Sequence, residues 1–210
     1  NTEGTPENIR KFHPNIIVSS TGSAPLLPPI AGLKDRIDNE KHNIYSILGM
    51  ISHINDFPKD LEGKKVVVVG GGAVGLDVVE FFADRNADIS IVEMMDQIGR
   101  DLDPVSKNDT KTMMKKHNVH QLTKTALLEV KDSSFLVRGD GEPYELPFEY
   151  GFVCLGMRAQ GQLYQNLTEE FSSEDVEIMN IGDSQRARRI IDGTQEGRNI
   201  LTILEQKGYL

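Results

Sequence analysis

Apolar residues in this chain fall into two kinds of run. Short apolar-rich runs occur at Ile16–Val18, Val66–Val69, Ile89–Val92, Tyr150–Leu155 and Val176–Ile181. Runs of this length, rich in β-branched residues and ending in small residues, predict strands buried on both faces, as in a parallel sheet. Elsewhere the apolar positions recur every three or four residues. Leu76, Val79, Phe82 and Ala83 form one stripe, with Asp77, Glu80, Asp84 and Arg85 off it, which predicts an amphipathic helix. Ile44, Tyr45, Ile47, Leu48, Ile51 and Ile54 follow a looser helical spacing and predict a connector helix within residues 33–60, stopped at Asp56-Phe57-Pro58. Pro104 opens a further helix over 104–117 with Asn118 as its stop, and Ala187–Leu204 reads as a closing helix.

Between residues 120 and 146 the pattern changes. His120–Leu122, Ala126–Val130, Ser134–Val137 and Tyr144–Leu146 are strand candidates, and Asp140-Gly141 is a hairpin signal before the last of them. This predicts a β-meander attached to an α/β unit with a parallel sheet.

The strongest local signal spans Lys64–Glu93. A strand runs into Gly70, Gly72 and Gly75 in G-x-G-x-x-G spacing, a helix follows, and the next strand ends on Glu93. Gly70 permits the tight turn, Gly72 lets the backbone approach a pyrophosphate, and Gly75 lets helix and strand pack closely. The helix N-terminus offers unpaired N–H groups to phosphate. A carboxylate at the second strand end can accept the hydroxyls of an adenosine ribose. The motif has the strand–turn–helix context it requires, so a dinucleotide site is expected at Gly70, Gly71, Gly72, Ala73, Val74, Gly75, Glu93 and Met94. Glu93 would repel a 2′-phosphate, and Met94 and Met95 follow it where an NADP site would place arginine, so NAD(H) is expected.

Composition narrows the remaining classes. The net charge of −9 over 210 residues argues against nucleic acid or an anionic membrane surface as partner. No apolar run is long enough to span a bilayer. Cys154 is the sole cysteine, which excludes an internal disulfide or a local iron–sulfur ligand set and fits a reducing cytoplasm. It lies in an apolar run and is expected to be structural. His117 and His120 lack further ligands and are expected at the surface, so no metal site is expected. The chain begins on Asn1 rather than Met, and a piece of a longer protein is expected.

Five segments carry a family resemblance: STGSAPLLPPIAGL at 20–33, VVVVGGGAVGLDVVEFFADRNADISIVEM at 66–94, IGRDLDP at 98–104, CLGMR at 154–158 and IGDSQRARRIIDG at 181–193. In these the chain resembles the pyridine nucleotide–flavin module of flavoproteins with two dinucleotide-binding domains. The nearest likeness is to the C-terminal part of the 2-enoate and 2,4-dienoyl-CoA reductases related to old yellow enzyme. The resemblance implies a Rossmann-like NAD domain, residues 62–158, inserted into a partial FAD-binding domain made of residues 1–61 and 159–210. It implies flavin contacts at Thr21, Gly22, Gly182, Asp183, Arg189 and Ile190, and a nucleotide contact at Gly156. FAD is the implied second cofactor, although some relatives carry ADP instead. FMN, a 4Fe–4S cluster and an FMN-barrel domain would belong to an upstream part of the same chain. Ala159-Gln160 departs from the Pro-Asn that follows GMR in the family, and a redox cysteine pair is missing.

Two functions stay open at this point. One is an NADH-dependent flavin oxidoreductase module that passes hydride from NADH to FAD and, in the full enzyme, on to FMN for reduction of an enoate or enoyl-CoA C=C bond. The other is a non-catalytic module that senses NAD(H). No residue is assigned a catalytic role in either.

Overall fold

The computed structural model describes residues 2–209. It has a mixed α/β architecture and divides into two compact units, one formed by Asn1–Ala24 with Met157–Leu210, the other by Pro25–Gly156.

The second unit is built on a five-stranded parallel sheet in the order β3-β10-β4-β5-β6. Its strands are β3 (Ile44–Tyr45), β4 (Lys65–Val69), β5 (Asp88–Val92), β6 (His120–Leu122) and β10 (Tyr150–Val153). The valine run of β4 lies at the centre and serves both faces. Val66 and Val68 join Ile89, Ile91 and Phe152 in one core, while Val67 and Val69 join Val92 and Val153 in the other. That period-2 division is what a strand imposes on consecutive apolar residues.

Two helices cover the first face. In α4 (Ala73–Ala83) Leu76, Val79, Phe82 and Ala83 are buried, with Val78 beside them, and Asp77, Glu80 and Asp84 face water. The predicted stripe is therefore the packed one. α5 (Pro104–Lys116) starts where Pro104 predicts. Its N-cap Asp103 accepts from the Val105 and Ser106 amides at 3.0 and 3.2 Å, and Asn118 takes φ +51° just beyond its end. The opposite face is covered by the antiparallel meander β7 (Ala126–Val130), β8 (Ser134–Arg138) and β9 (Tyr144–Pro147). Gly151 allows that layer to dock, because a Cβ there would lie 2.7 and 2.8 Å from the rings of Phe135 and Phe148.

Two expectations need correction. His120–Leu122 belongs to the parallel sheet, paired with β5, and not to the meander. Residues 33–60 do not make one connector helix but α2 (Leu33–Arg36), edge strand β3 and α3 (Ile47–Ser52). Local polar chemistry overrides the loose periodicity. Asp38, at φ +53°, accepts the Ser46 amide at 2.7 Å, and the Ser46 hydroxyl caps α3 through the Gly49 amide at 3.1 Å. Ile44 and Tyr45 are left extended beside Gly151 and Phe152. The aromatic rings of Tyr45, Phe57, Phe82 and Phe152 then pack together, with Phe57–Phe82 and Phe82–Phe152 centroids 5.1 and 4.8 Å apart. Residues 25–61 thus contribute Leu33, Ile37, Ile44, Met50, Phe57 and Leu61 to the cores of this unit.

In the first unit β1 (Ile16–Ser19) pairs in parallel with β12 (Glu177–Asn180). Ile17, Leu167 and Phe171 form a small core between this ladder, α1 (Pro6–Arg10) and α6 (Gln162–Glu170). Arg10 stacks over Phe171, 4.7 Å from the ring centroid, and pairs with Glu170 and Glu174. β2 (Ser23–Pro25) and β11 (Met157–Ala159) form a short ladder. The closing helix, α7 (Ile190–Gln206), has Arg189 as its N-cap, whose amide donates to the Asp192 carboxylate at 3.1 Å. Among the described residues no helix is long and apolar enough to cross a membrane.

Candidate functional site

The central cavity of the second unit has a volume of about 610 Å³ and lies at the carboxyl ends of the parallel strands. Its floor is Val69, Gly70, Gly72, Ala73 and Val74, where β4 turns into α4. Val92, Glu93 and Met94 bring the end of β5, and Cys154, Leu155 and Gly156 bring the end of β10. Open parallel sheets bind ligands in this crevice.

Each glycine of the motif has a distinct geometry. Gly70 takes φ +110°, and a Cβ there would lie 2.1 Å from the Cys154 carbonyl oxygen. At Gly75 a Cβ would lie 1.9 Å from the Gly70 carbonyl oxygen, so this glycine serves helix–strand packing and is not part of the cavity wall. A Cβ on Gly72 would meet nothing within 4 Å, because that position opens onto the cavity. Gly72 is also the N-cap of α4, with no side-chain cap, so the first-turn amides face the same space. An open approach, free first-turn N–H groups and the positive end of an 11-residue helix suit a pyrophosphate.

Gly71 behaves differently from its neighbours. It is buried, and its amide donates to Glu93 Oε2 at 2.6 Å. The other carboxylate oxygen, Oε1, accepts the Met95 amide at 2.7 Å. Glu93 therefore stands beside the glycine loop with both oxygens engaged by backbone donors. An ionised carboxylate offers about four lone-pair sites, so acceptor capacity remains for ribose hydroxyls. Met94 is largely exposed at the cavity mouth, and Gly156 takes φ +105° in its wall.

Sequence reasoning missed Leu26, Pro28, Thr125, Leu127 and Asp101, which also line the cavity. They reach it through tertiary packing of loops and the meander; Leu26, Pro28 and Asp101 lie in segments that carry the family resemblance, but nothing in their spacing marks them as cavity residues. Asp101 adds a second acid, and no lysine, arginine or histidine is among the lining residues. Cys154 is buried, and burial pushes its thiol pKa up to about 12, with the Asp77 charge adding to the effect. Such a thiol stays protonated and unreactive at neutral pH.

The residues expected around a flavin lie in the first unit. Thr21 and Gly22 follow β1, and Gly182 and Asp183 form a helical turn after β12, at the matching ends of this parallel pair. The Thr21 hydroxyl donates to the Gln160 carbonyl, and the Gln160 amide donates to the Gly22 carbonyl at 3.0 Å. Asp183 accepts from the Ser23 hydroxyl and the Arg188 amide, both at 3.1 Å. Glu196, which sequence reasoning passed over, ties this turn to α7. It pairs with Arg188 and accepts the Gly182 amide at 2.6 Å, and the Arg188 guanidinium first, then the Gly182 amide, lower its carboxyl pKa from the ordinary value. The Arg189 and Ile190 side chains are strongly exposed. His120 lies at the surface, 3.5 Å from Asp88, and no group of three candidate metal ligands exists among the described residues.

Relatives of this chain carry the names of oxidoreductases. A metal reductase from Desulforamulus reducens is 26% identical across 94% of this chain and 32% of that protein. An NADH oxidase from Thermoanaerobacter brockii is 26% identical across 91% of this chain and 28% of its own length. The chain thus spans about a third of the curated relatives it matches. Among solved structures, 2-naphthoyl-CoA reductase in complex with 2-naphthoyl-CoA superposes with a TM-score of 0.77 at 22% identity, over 94% of this chain and 28% of that one. Histamine dehydrogenase from Rhizobium sp. 4-9 gives 0.74 at 14% identity, over 95% and 32%. Both structural likenesses establish the same fold. Residues 5–179 match the pyridine nucleotide-disulphide oxidoreductase family, and the chain belongs to that family.

Proposed function

We propose that this chain is the NADH-binding module of a flavin-dependent oxidoreductase. The carrying observation is the juxtaposition at one cavity of open Gly72, the uncapped start of α4 and the Glu93 carboxylate. In this reading the first-turn amides at Ala73 and Val74 hold the pyrophosphate and Glu93 accepts the adenosine ribose hydroxyls. Glu93 and Asp101, with no cation in the wall, disfavour a 2′-phosphate, which selects NADH over NADPH.

FAD is the proposed acceptor, held in part by Thr21, Gly22, Gly182, Asp183, Arg189 and Ile190. When both cofactors are bound, the nicotinamide supplies a hydride and the flavin takes it. The chain's own part is placement: Asp183 has its carboxylate fixed by Ser23 and Arg188, and Glu196 fixes the turn that carries it. The sole cysteine is buried and protonated, so the disulfide chemistry in the family's name has no thiol pair in this chain.

The relatives named metal reductase, NADH oxidase and bilirubin reductase differ in their named activity, yet each matches this chain over less than a third of its own length. This supports a shared donor-side module whose final acceptor is set elsewhere. An upstream domain with FMN and a 4Fe–4S cluster, reducing an enoate or enoyl-CoA C=C bond, completes the proposal by resemblance. The test is reconstitution with FAD and anaerobic titration with NADH. Retained flavin absorbance that NADH bleaches supports the module. Saturable NADH binding with no retained flavin would leave the sensing role.

A further inference from the structure

We infer that Glu93 is a positioning residue for the phosphate loop, in addition to its proposed contact with ribose. The inference rests on the nucleotide reading given above and concerns a different part of the ligand, the pyrophosphate.

The geometry begins with the peptide of Gly71, which is held from both sides. Its N–H donates to Glu93 Oε2 at 2.6 Å, and its carbonyl accepts the Gly99 amide at 2.7 Å. A Cβ at Gly71 would lie 3.0 Å from Glu93 Oε2 and 3.1 Å from Ile98 Cγ1, so the loop is packed onto the carboxylate as well as bonded to it. Glu93 is itself held by three further hydrogen bonds. Its amide donates to Leu122, its carbonyl accepts from Thr125, both at 2.9 Å, and its second oxygen accepts the Met95 amide. The acid thus ties the turn between Gly70 and Gly72 to the paired ends of β5 and β6.

The chemistry gives this a direction. The Gly71 N–H would otherwise be one more donor in a loop built to face an anion. Spent on Glu93, it fixes the Gly70–Gly71 peptide, while the Gly99 amide fixes the Gly71–Gly72 peptide that leads into α4. The free donors are then the first-turn amides, aimed before the ligand arrives. Preorganised donors bind charge without the cost of ordering the loop at that moment. A charged acceptor makes this bond stronger than a neutral one. A glutamine keeps one acceptor oxygen and presents an NH₂ to a backbone donor in place of the other, so it satisfies only one of the two amides.

The experiment compares two probes on the same variants: NADH, and an NADH analogue lacking both hydroxyls on its adenosine ribose. Loss of a charge-assisted hydrogen bond is worth roughly tenfold or more in affinity. Glu93→Ala is expected to weaken the hydroxyl-free analogue by about tenfold, with Glu93→Gln intermediate, because the loop is loosened independently of ribose. Hydrogen exchange at the Gly71 amide should accelerate in step with the loss. Gly71→Ala, which keeps Glu93 but crowds it, should weaken the analogue as well. If Glu93→Ala lowers NADH affinity to that of the analogue while leaving the analogue unaffected, the positioning role is overturned and the ribose contact stands. If wild type binds neither probe, the nucleotide reading fails, and this inference fails with it.

Discussion

Gly72 and Gly75 are three residues apart in one motif, yet the structure gives them opposite roles, and substitution should separate them. Gly75→Ala places a methyl 1.9 Å from the Gly70 carbonyl oxygen. It should destabilise the fold by about 1–3 kcal/mol in urea denaturation. Gly72→Ala meets no protein atom within 4 Å. Its stability should stay within about 0.5 kcal/mol of wild type. Cys154 offers a test in pH. Its folded pKa is raised from 9.0 to about 12, so the unfolded thiol ionises first and the contribution to stability is lost as pH rises. Between about pH 8.5 and 11, wild type should lose more stability than Cys154→Ala, measured by urea denaturation at each pH. The motif glycines and Glu93 were legible because their spacing is local. The Gly71–Glu93 bond was not, since it joins residues 22 apart and appears only once β4 and β5 are paired.

At the scale of elements, legibility follows how much of each element is decided locally. The α4 stripe and the Pro104 start of α5 carry their own signals, and both appear where the sequence puts them. The connector was misread because six apolar residues at helical spacing are also compatible with a strand followed by a capped turn. Asp38 and Ser46 decide between the two, by bonds that periodicity does not report. β6 was assigned to the meander because its three residues show no pattern of their own, and only pairing with β5 makes them a strand of the main sheet. The meander depends on Gly151, where a side chain would strike the Phe135 and Phe148 rings. Gly151→Ala should cost about 1–3 kcal/mol, read from the urea midpoint. Exposure of Phe135 and Phe148 in that variant should appear as increased binding of a hydrophobic dye.

On the scale of the whole molecule, the chain carries the family's fold but spans about a third of the curated relatives it matches. Its two units present parallel strand ends followed by glycine turns, at Gly70–Gly72 in one and at Gly22 and Gly182 in the other. The net charge of −9 acts in the same direction as the proposed selection of NADH over NADPH, since it opposes an additional phosphate. The central claim is that the cavity at Gly72 and Glu93 receives NADH. Equilibrium titration followed by NADH fluorescence, in wild type and in Gly72→Ala, tests it most directly. The account predicts saturable NADH binding to wild type, NADPH weaker by about tenfold or more, and at least a tenfold loss for NADH in a Gly72→Ala protein that melts like wild type. Equal affinity in the two proteins, or tighter binding of NADPH, would contradict it.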